Sequence, residues 1–393
     1  MSQSKFSRRD LLKALPPLAV IPRLKGVNFK ITDLRLRRLR LVKELGSYID
    51  FNMRPRSYRL GGGSFCEIHT DQGLIGIGGG FDESLLAVYK NQIVGADPFD
   101  IERLSSQLNA GRERGGAAVE VALWDLIGKA TGQPLYKLWG GAKGRIKPYA
   151  SLMALGTPEE RAERATRLHS EGWHAIKFRC RFPEMRDDIR MIELTRKAVG
   201  DDLVLTADAN MAAVNFHSTG VAWDFKRALE TARAYQEMGM YWLEEPLPRY
   251  DYAHLAELNR QCDMYIAGAE FNYGLHEFRE LLEQGCLDII QPEIMASGVN
   301  NARKSAVIAE SLGKYCIPHN GDRALGTICQ FHLVGAFPNA PYAELQHEEP
   351  VGDYKNGFFV MEDPPLVGPD GYLQLPDKPG LGVSIKQDLI LNA

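Results

Sequence analysis

Five acidic or imidazole side chains each follow a short apolar stretch of the sequence: Asp208, Glu244, Glu270, Glu293 and His319. Successive members lie 36, 26, 23 and 26 positions apart, a spacing that fits one strand, one helix and two loops. Charged groups at the ends of buried strands are costly unless a metal ion, a partner or a substrate offsets their lost hydration. In a (β/α)8 barrel the carboxyl ends of the strands meet at one mouth, so we expect these residues to share one site.

Three of these residues, Asp208, Glu244 and Glu270, are hard oxygen donors on neighbouring predicted strands. A donor set without Cys or His favours Mg²⁺, or Mn²⁺, over Zn²⁺. A single such carboxylate is better explained as a helix N-cap or a surface charge, but three in consecutive βα units are not. Mg²⁺ held by three carboxylates keeps open positions, so the sequence predicts a metal site that receives a small-molecule carboxylate.

The pattern along the chain predicts an α/β protein built on a TIM-type (β/α)7β barrel. Residues 146–350 carry the repeating βα units of this modified (β/α)8 barrel, whereas residues 27–145 do not. The earlier segment begins with predicted strands at Ile31–Val42 and Gly62–Thr70 and continues with helices, which indicates an α+β capping domain. The Gly- and Pro-rich tail, residues 351–393, is predicted to pack on that capping domain.

The composition excludes several classes of protein. The chain has 393 residues, of which 45% are hydrophobic and 25% charged, as in ordinary globular proteins. A net charge of -3 and the lack of a basic stripe give no reason to expect nucleic-acid binding. No stretch approaches the roughly 20 apolar residues of a membrane span. The six cysteines contain no CxxC pair, so we expect free, buried thiols rather than a zinc or disulfide framework.

The first 26 residues carry a possible targeting signal. Ser7-Arg8-Arg9-Asp10-Leu11-Leu12-Lys13 looks like a twin-arginine export motif, and a mildly apolar segment follows it. That segment is short, Pro16 and Pro17 interrupt it, and no clear Ala-x-Ala cleavage site follows. A solvated basic tail explains the same residues, so cytoplasmic and periplasmic locations both stay open.

Two further strands contribute charged side chains. Period-2 alternation in the predicted strand Trp173–Arg179 places Lys177 and Arg179 on the same face, inside the barrel mouth. The predicted eighth strand, Tyr342–Leu345, carries Glu344 near its end. An ion pair at the edge of the barrel would explain Lys177 and Arg179 without any substrate.

Several motifs together resemble one protein family. The barrel motifs are Thr206-Ala-Asp208-Ala-Asn210, Trp242-Leu-Glu244-Glu245-Pro246, Ala267-Gly-Ala-Glu270 and the Lys-x-Arg of the second strand. The capping-domain motifs are Thr70-Asp-Gln-Gly-Leu-Ile-Gly and Ala118-Val-Glu-Val-Ala-Leu-Trp-Asp-Leu-Ile-Gly-Lys-Ala. From about residue 28 to 385 the chain is similar to the enolase superfamily, in its mandelate racemase and muconate lactonizing enzyme branch.

The resemblance implies abstraction of the proton α to a carboxylate, with Asp208, Glu244 and Glu270 as Mg²⁺ ligands. The metal would stabilise the second negative charge of the enediolate. His319 would be the base and Glu293 its orienting acid, although the family more often has Asp at that position. Glu is one methylene longer, which changes its reach.

The second strand departs from the family as well. Many relatives have Lys-x-Lys there and use the second lysine as a base, but this chain has Arg179, a poor base because it stays protonated. Arg179 would instead bind substrate or stabilise the enediolate, while Lys177 would contact the substrate carboxylate. Glu344 would hydrogen-bond the enediolate as an acid, its protonated form favoured by burial.

One strong base favours dehydration, because a single imidazole can take the α-proton and then protonate the departing β-hydroxyl. The sequence therefore predicts a dehydratase that converts a sugar acid into a 2-keto-3-deoxy acid. A racemase, epimerase or cycloisomerase on the same scaffold would need Lys177 or a loop residue as second base. A non-catalytic sugar-acid binding protein would bind such a compound without exchanging its α-proton.

Substrate choice is expected to come from a capping-domain loop, residues 44–59, which the resemblance places over the barrel mouth. Tyr48, Arg54 and Arg56 are its candidate contacts to hydroxyls or a distal carboxylate, and Asn210, two residues after Asp208, is another. The family is often oligomeric, so a homo-oligomer is also expected. The sequence does not identify the sugar acid.

Overall fold

The computed structural model describes residues 29–110, 114–212, 221–321 and 324–391. The possible export motif lies outside these residues. No helix within them is long and apolar enough to cross a membrane. All six cysteines lie within the described parts as free thiols, and every one except Cys262 is buried.

The capping domain begins with a three-stranded antiparallel sheet in the order β1-β4-β5, and a separate β2-β3 hairpin is inserted after β1. The predicted strand over residues 31–42 is therefore wrong in extent. The strand is interrupted at Leu39 and Arg40. There the Arg40 amide donates a hydrogen bond to the Leu389 carbonyl of the tail at 2.8 Å. The five strands are β1 (Ile31–Arg38), β2 (Leu41–Ile49), β3 (Pro55–Gly61), β4 (Ser64–Thr70) and β5 (Ile75–Gly79).

Helix α3 packs directly against β5. An added Cβ at Gly76 would lie 2.2 Å from the Ala122 carbonyl oxygen, and one at Gly78 would lie 2.1 Å from that of Ala118. Glycine is thus required for this close approach of strand and helix. The capping-domain helices are α1 (Leu86–Ile93), α2 (Ile101–Leu108), α3 (Arg114–Thr131) and α4 (Leu135–Leu138), and a 3-10 turn at Glu83–Leu85 precedes α1.

The predicted (β/α)7β barrel is confirmed. Eight parallel strands form one sheet in the order β13-β12-β11-β10-β9-β8-β7-β14. They are β7 (Pro148–Ser151), β8 (Ala175–Arg179), β9 (Val204–Asp208), β10 (Trp242–Glu244), β11 (Tyr265–Gly268), β12 (Ile289–Ile290), β13 (Tyr315–Cys316) and β14 (Ala343–Gln346), preceded by β6 (Arg145–Ile146).

Helices connect the barrel strands and cover their outer side. Helix α5 shows why they form where they do: Thr157 and Glu160 make a capping box at its start, and Pro158 occupies its first turn. The connecting helices are α5 (Pro158–Ser170), α6 (Met185–Val199), α7 (Phe225–Glu237), α8 (Tyr252–Arg260), α9 (Leu275–Glu283), α10 (Ile294–Ser297), α11 (Val299–Ser311) and α12 (Leu325–Ala336).

The barrel interior is apolar at one end and charged at the other. Residues at the starts of the strands, such as Tyr149, Trp242 and Ile289, form an apolar cluster at the end opposite the mouth. The ends of the same strands carry charged side chains. The parallel register places Arg179 beside Asp208, and Asp208 beside Glu244. The fold thus brings charges from separate βα units to one level.

The tail returns to the capping domain. The Leu391 amide donates to Arg38 at 2.9 Å, and the Leu381 amide donates to the buried Asp125 carboxylate of α3 at 2.8 Å. The tail contains α13 (Tyr354–Phe358), β15 (Met361–Glu362), β16 (Leu373–Gln374), β17 (Ser384–Ile385) and a 3-10 turn at Gln387–Leu389.

Candidate active site

Three carboxylates meet at the mouth of the barrel. Asp208 and Glu244 end neighbouring strands and pair in register, and Glu270 follows β11 by two residues. All three are buried. Asn210, which has a positive φ of 51°, holds Asp208 from beyond the strand end: its backbone amide and its side-chain amide each donate to that carboxylate at 2.8 Å.

Lys177 lies in the middle of this group and is fully buried. Its Nζ is 2.8 Å from Glu244 Oε1 and 3.0 Å from Glu344 Oε1, and 3.9 Å from Asp208 Oδ2. Burial alone would lower the pKa of this ammonium group, but Glu244 and Glu344 outweigh it and raise the pKa above its ordinary value. Lys177 is therefore held as a cation.

Arg179 lies on the same strand face, nearer the mouth. Its guanidinium pairs with Asp208 and donates to the Asn210 side-chain oxygen at 3.2 Å and to the Leu152 carbonyl at 3.1 Å. The Phe51 ring of the β2-β3 hairpin covers it, with 4.6 Å between the guanidinium carbon and the ring centre. These contacts fix a permanent positive charge at the mouth.

Glu244 has further donors that the sequence analysis did not single out. Its Oε2 accepts from Gln291 Nε2 at 2.8 Å and from Trp242 Nε1 at 3.1 Å. A carboxylate with several donors in a buried site keeps one orientation. Gln291 lies two residues before Glu293, and this period-2 spacing was a signal available in the sequence.

His319 and Glu293 form a hydrogen-bonded pair. His319 Nδ1 lies 2.8 Å from Glu293 Oε2, and His319 Nε2 lies 2.8 Å from Glu270 Oε2. Glu293 caps the short helix α10, since its Oε1 accepts from the Met295 amide at 2.9 Å. The longer Glu side chain thus reaches the imidazole while a helix N-terminus fixes its other oxygen.

A cavity of about 680 Å³ opens beside this pair. Its polar lining includes His319, Glu293 and Glu270. Phe81 and Asp82, from the segment after β5, lie on the capping-domain side. The consecutive glycines at 78–80 were a sequence signal for a close backbone approach there, but Phe81 and Asp82 were not predicted as site residues.

The expected contacts of the capping loop do not line this cavity. Residues 44–59 are mainly the β2-β3 hairpin rather than an irregular loop, and Phe51 is the residue that reaches Arg179. Tyr48, Arg54 and Arg56, all described, are not among the residues that line the 680 Å³ cavity. The Tyr48 hydroxyl lies 3.2 Å from that of Tyr58, Arg56 lies 3.9 Å from Asp50, and Arg54 is exposed. Their contacts with substrate stay a prediction.

The protonation of Glu344 also differs from the expectation. Burial acts to raise its pKa, but Lys177, His319 and Arg179 outweigh burial and lower the pKa to about 2. Its Oε2 accepts from the Asn320 amide at 3.0 Å. Glu344 is therefore an ionised partner of Lys177 and not the protonated acid that burial alone suggested.

The types of donor at the mouth suit Mg²⁺. Burial and the adjacent Glu244 raise the pKa of Asp208 to about 8, because several carboxylates share one poorly hydrated space. For Glu270, burial acts in the same direction, but His319 outweighs it and lowers the pKa below its ordinary value. A divalent cation would relieve this crowding, and Asp208, Glu244 and Glu270 supply the oxygen ligands that Mg²⁺ prefers.

The chain is similar to known proteins. Residues 160–389 match the family described as enolase C-terminal domain-like, and residues 64–140 match the mandelate racemase / muconate lactonizing enzyme N-terminal domain. An arabinonate dehydratase of Saccharolobus solfataricus is 29% identical over 281 residues, covering 69% of this chain and 70% of the relative. A 3,6-anhydro-alpha-L-galactonate cycloisomerase of Streptomyces coelicolor is 29% identical over 304 residues, covering 74% and 77%.

Solved structures agree with the fold. The crystal structure of a D-glucarate dehydratase from Agrobacterium tumefaciens, complexed with magnesium, superposes with a TM-score of 0.79 at 25% identity. The superposition covers 92% of this chain and 99% of that structure. With both of its domain families matched, the chain belongs to the mandelate racemase and muconate lactonizing enzyme branch of the enolase superfamily.

Proposed function

We propose that the protein is a Mg²⁺-dependent dehydratase of a sugar acid, which removes the proton α to the carboxylate and eliminates the β-hydroxyl. The observation that carries this proposal is the asymmetry of the mouth. His319, oriented by Glu293, faces the cavity. Carboxylates raise the pKa of this imidazole as well, but it gives up its proton far more readily than Lys177 and Arg179 on β8, which stay protonated. Among the described residues, this arrangement supplies one base and not a pair.

The residues act in a defined order. Glu293 holds the imidazole through Nδ1. Nε2 lies 2.8 Å from Glu270 Oε2 in the ion-free protein, and once the imidazole is neutral this nitrogen takes the α-proton as that C–H bond breaks. Arg179 and Lys177 supply fixed positive charge near the enediolate, and Mg²⁺, when bound, adds the charge that makes this weak carbon acid reactive. The imidazolium then gives a proton to the β-oxygen as the C–O bond breaks and water leaves. The enol product tautomerises to the 2-keto-3-deoxy acid.

A cycloisomerase is the second candidate. The cycloisomerase from Streptomyces coelicolor is as similar to this chain as the arabinonate dehydratase is, at 29% identity each. One base also suffices for this reaction if the same imidazole removes the α-proton and a ring oxygen leaves. Racemisation is less well supported, because it needs a base on each face of the α-carbon and Lys177 is held as a cation.

A substrate screen separates these candidates. A library of aldonic and aldaric acids, with Mg²⁺, is assayed for keto acids by semicarbazone formation, and lactones and anhydro acids are assayed beside it. The dehydratase proposal expects a keto acid from at least one linear acid. Conversion of lactones, anhydro acids or epimers with no keto acid from any linear acid would contradict it.

The role of His319 is tested on the compound that the screen identifies. His319→Asn is expected to slow α-proton exchange in D₂O by about 10²-fold or more, the usual contribution of a general base. Mg²⁺ affinity, measured by calorimetry, should stay within a few-fold of wild type because the three carboxylates remain. Unchanged exchange in this variant would exclude His319 as the base. If no compound of the library is converted, binding of one of them by the wild type without α-proton exchange would favour a binding protein.

A further inference from the structure

A second cluster of possible ligands lies apart from the strand-end residues described above. Glu171 follows helix α5, while His347 and Glu349 follow β14. One ligand atom from each residue lies within 4.8 Å of the other two. His347 is buried, Glu349 is partly buried and Glu171 is exposed, so the cluster lies at the protein surface with its imidazole inward.

Both nitrogens of the His347 imidazole lie farther from the neighbouring carboxylates than a hydrogen bond allows. The side chain is only 2% exposed, and Nδ1 makes no hydrogen bond among the described residues. Nδ1 lies 3.5 Å from Asp353 Oδ1, and Nε2 lies 3.6 Å from Glu349 Oε1. Both distances exceed the usual 2.7–3.2 Å range of a hydrogen bond. Nδ1 faces Asp353, whereas Nε2 and the Glu349 carboxylate face each other at a distance too long for a hydrogen bond, as two ligands of one cation would.

The separation of Nε2 and Glu349 Oε1 suits a shared metal ion. Zn²⁺ binds imidazole nitrogen and carboxylate oxygen at about 2.0–2.2 Å in tetrahedral geometry, which places two ligands about 3.4 Å apart. The observed 3.6 Å is close to that value. Glu171 is exposed at the end of its helix, and its ligand atom lies within 4.8 Å of the other two, so a side-chain movement can complete a third bond.

The surroundings supply an outer shell for such an ion. Metal-bound histidine usually donates its other ring N–H to a carboxylate, and Asp353 faces Nδ1 in that position. Asp353 is itself fixed, because its Oδ1 accepts from the Lys355 amide at 3.0 Å. Arg164 binds Glu349 Oε2 at 2.8 Å and Arg167 lies 3.7 Å from the same oxygen, so both leave Oε1 to face the imidazole.

We propose that Glu171, His347 and Glu349 bind a transition-metal dication, best matched by Zn²⁺. Imidazole with carboxylates suits Zn²⁺, and three protein ligands leave a fourth position for water. A cavity of about 270 Å³, lined by all three residues, has room for that water. The ion would fasten the end of α5 to the segment after β14. This proposal does not depend on the reaction at the barrel mouth.

Zinc titration by calorimetry in excess Mg²⁺ tests the proposal. The wild type is expected to bind one zinc ion at this cluster. His347→Gln and Glu171→Gln should each weaken that binding at least tenfold, and Asp353→Asn should weaken it about tenfold through the outer shell. Glu171 is exposed, so its variant tests the site even if His347→Gln does not fold.

Two controls separate this cluster from other zinc sites. His254→Gln removes an exposed histidine whose Nδ1 lies 2.8 Å from Asp251, and it should leave the titration unchanged. Glu244→Gln, at the barrel mouth, should also leave zinc binding in the titration unchanged. Equal zinc affinity and stoichiometry in wild type, His347→Gln and Glu171→Gln would overturn the proposal, as would no zinc binding in the wild type.

A local optical signal provides a second measurement. The Trp173 ring stacks on the His347 ring with their centres 5.0 Å apart, so a paramagnetic ion on His347 would quench its fluorescence. Ni²⁺ is expected to quench the wild type and His254→Gln, and to lose most of that effect in Glu171→Gln and in Trp173→Phe. Identical quenching in Glu171→Gln and the wild type would count against the site.

Discussion

At the scale of single residues, the pair of His319 and Glu293 sets the conditions for proton abstraction. Burial acts to lower the pKa of His319, but Glu270 and Glu344 outweigh burial and raise that pKa well above its ordinary value. The imidazole must lose its proton before it can act as a base. The rate constant kcat/KM is therefore expected to rise with pH through the His319 pKa.

Glu293→Gln tests this dependence. Glutamine can still accept from Nδ1 but carries no charge, so the His319 pKa should fall. With saturating Mg²⁺, the acid limb of the kcat/KM profile should move to lower pH, while the plateau falls because the base is weaker. Glu277→Gln is the control, since Glu277 is also buried but lies on α9. An unmoved acid limb in Glu293→Gln would contradict the assignment.

The backbone at the mouth is strained in a way that the sequence did not reveal. Asn210, Glu245 and Ala269, which follow three neighbouring strands, all have positive φ values, at 51°, 46° and 82°. Such conformations are costly for residues other than glycine and cluster at functional sites. Regular alternation of side chains along the strand would point Glu245, next to Glu244, away from the mouth. Its positive φ breaks the strand, and Glu245 is buried with Oε1 making no hydrogen bond among the described residues.

At the scale of elements, the barrel strands were predictable and the β2-β3 hairpin was not. Each barrel strand is a short apolar run that ends in a polar group, and helices separate the runs at regular spacing. Strand β2 is almost entirely exposed, so it has no alternation of buried and exposed positions. Its turn depends on a local contact, because Asp50 Oδ1 accepts from the amides of Asn52 and Arg54 at 2.8 and 3.1 Å.

The site residues, too, divide into those that the sequence predicts and those that it does not. Residue type and strand-end position were enough to group Asp208, Glu244 and Glu270, because parallel strands end at one edge. Contacts across the cavity, such as Phe51 on Arg179, depend on how the capping domain lies over the barrel. That arrangement comes from packing between distant segments, which periodicity within one segment does not encode.

Helix α3 joins the capping domain to the barrel through a buried carboxylate. Glu120 accepts from the amides of Val299 and Asn300 at the start of α11, at 3.0 and 2.8 Å. It also accepts from Ser105 and Asn109 of the capping domain, each at 2.8 Å. Four donors on one buried side chain tie α2, α3 and α11 together.

Glu120→Leu should therefore destabilise the protein strongly. The four donors would lose their acceptor in a buried place, and a loss of about 3 kcal/mol or more in the free energy of unfolding is expected. Glu102→Gln is the matched control, because Glu102 also joins the capping domain to α11, through Lys304, but is exposed. Its loss should stay below about 1 kcal/mol. Similar losses in the two variants, measured by urea denaturation, would contradict this account.

At the scale of the whole molecule, stability is linked to the charges at the mouth. Without a divalent cation, Asp208 has a pKa of about 8 against an ordinary 3.8, and His319 has a pKa well above 6.5. Both groups hold protons more tightly in the folded state. Their stabilisation is therefore present at low pH and is lost as the pH rises, for Asp208 from about 4 to 8 and for His319 from 6.5 upward.

Glu344 changes the stability in the opposite direction and over a different pH range. Its pKa is lowered to about 2 from 4.5, so its stabilisation is complete above 4.5 and is lost only as the pH falls towards 2. Glu344 thus adds no slope between pH 6.5 and 8. In that window Asp208 and His319 act in the same direction as the buried Asp188, whose pKa is raised to about 7, so the ion-free protein should become less stable as the pH rises.

Magnesium should reverse this trend. Binding requires ionised carboxylates, so Mg²⁺ affinity increases with pH, and a ligand that binds only the folded state stabilises it in proportion to RT ln(1 + [L]/Kd). The rise in Tm on adding Mg²⁺ is expected to be larger at pH 8 than at pH 6.5. Asp208→Asn, which keeps the size of the side chain but removes its charge, should lose most of this rise and reduce the pH slope of the ion-free protein. Thermal melts with Mg²⁺ or with EDTA at the two pH values measure both effects, and an equal or larger rise at pH 6.5 would show that the carboxylates at the mouth do not titrate together with the metal.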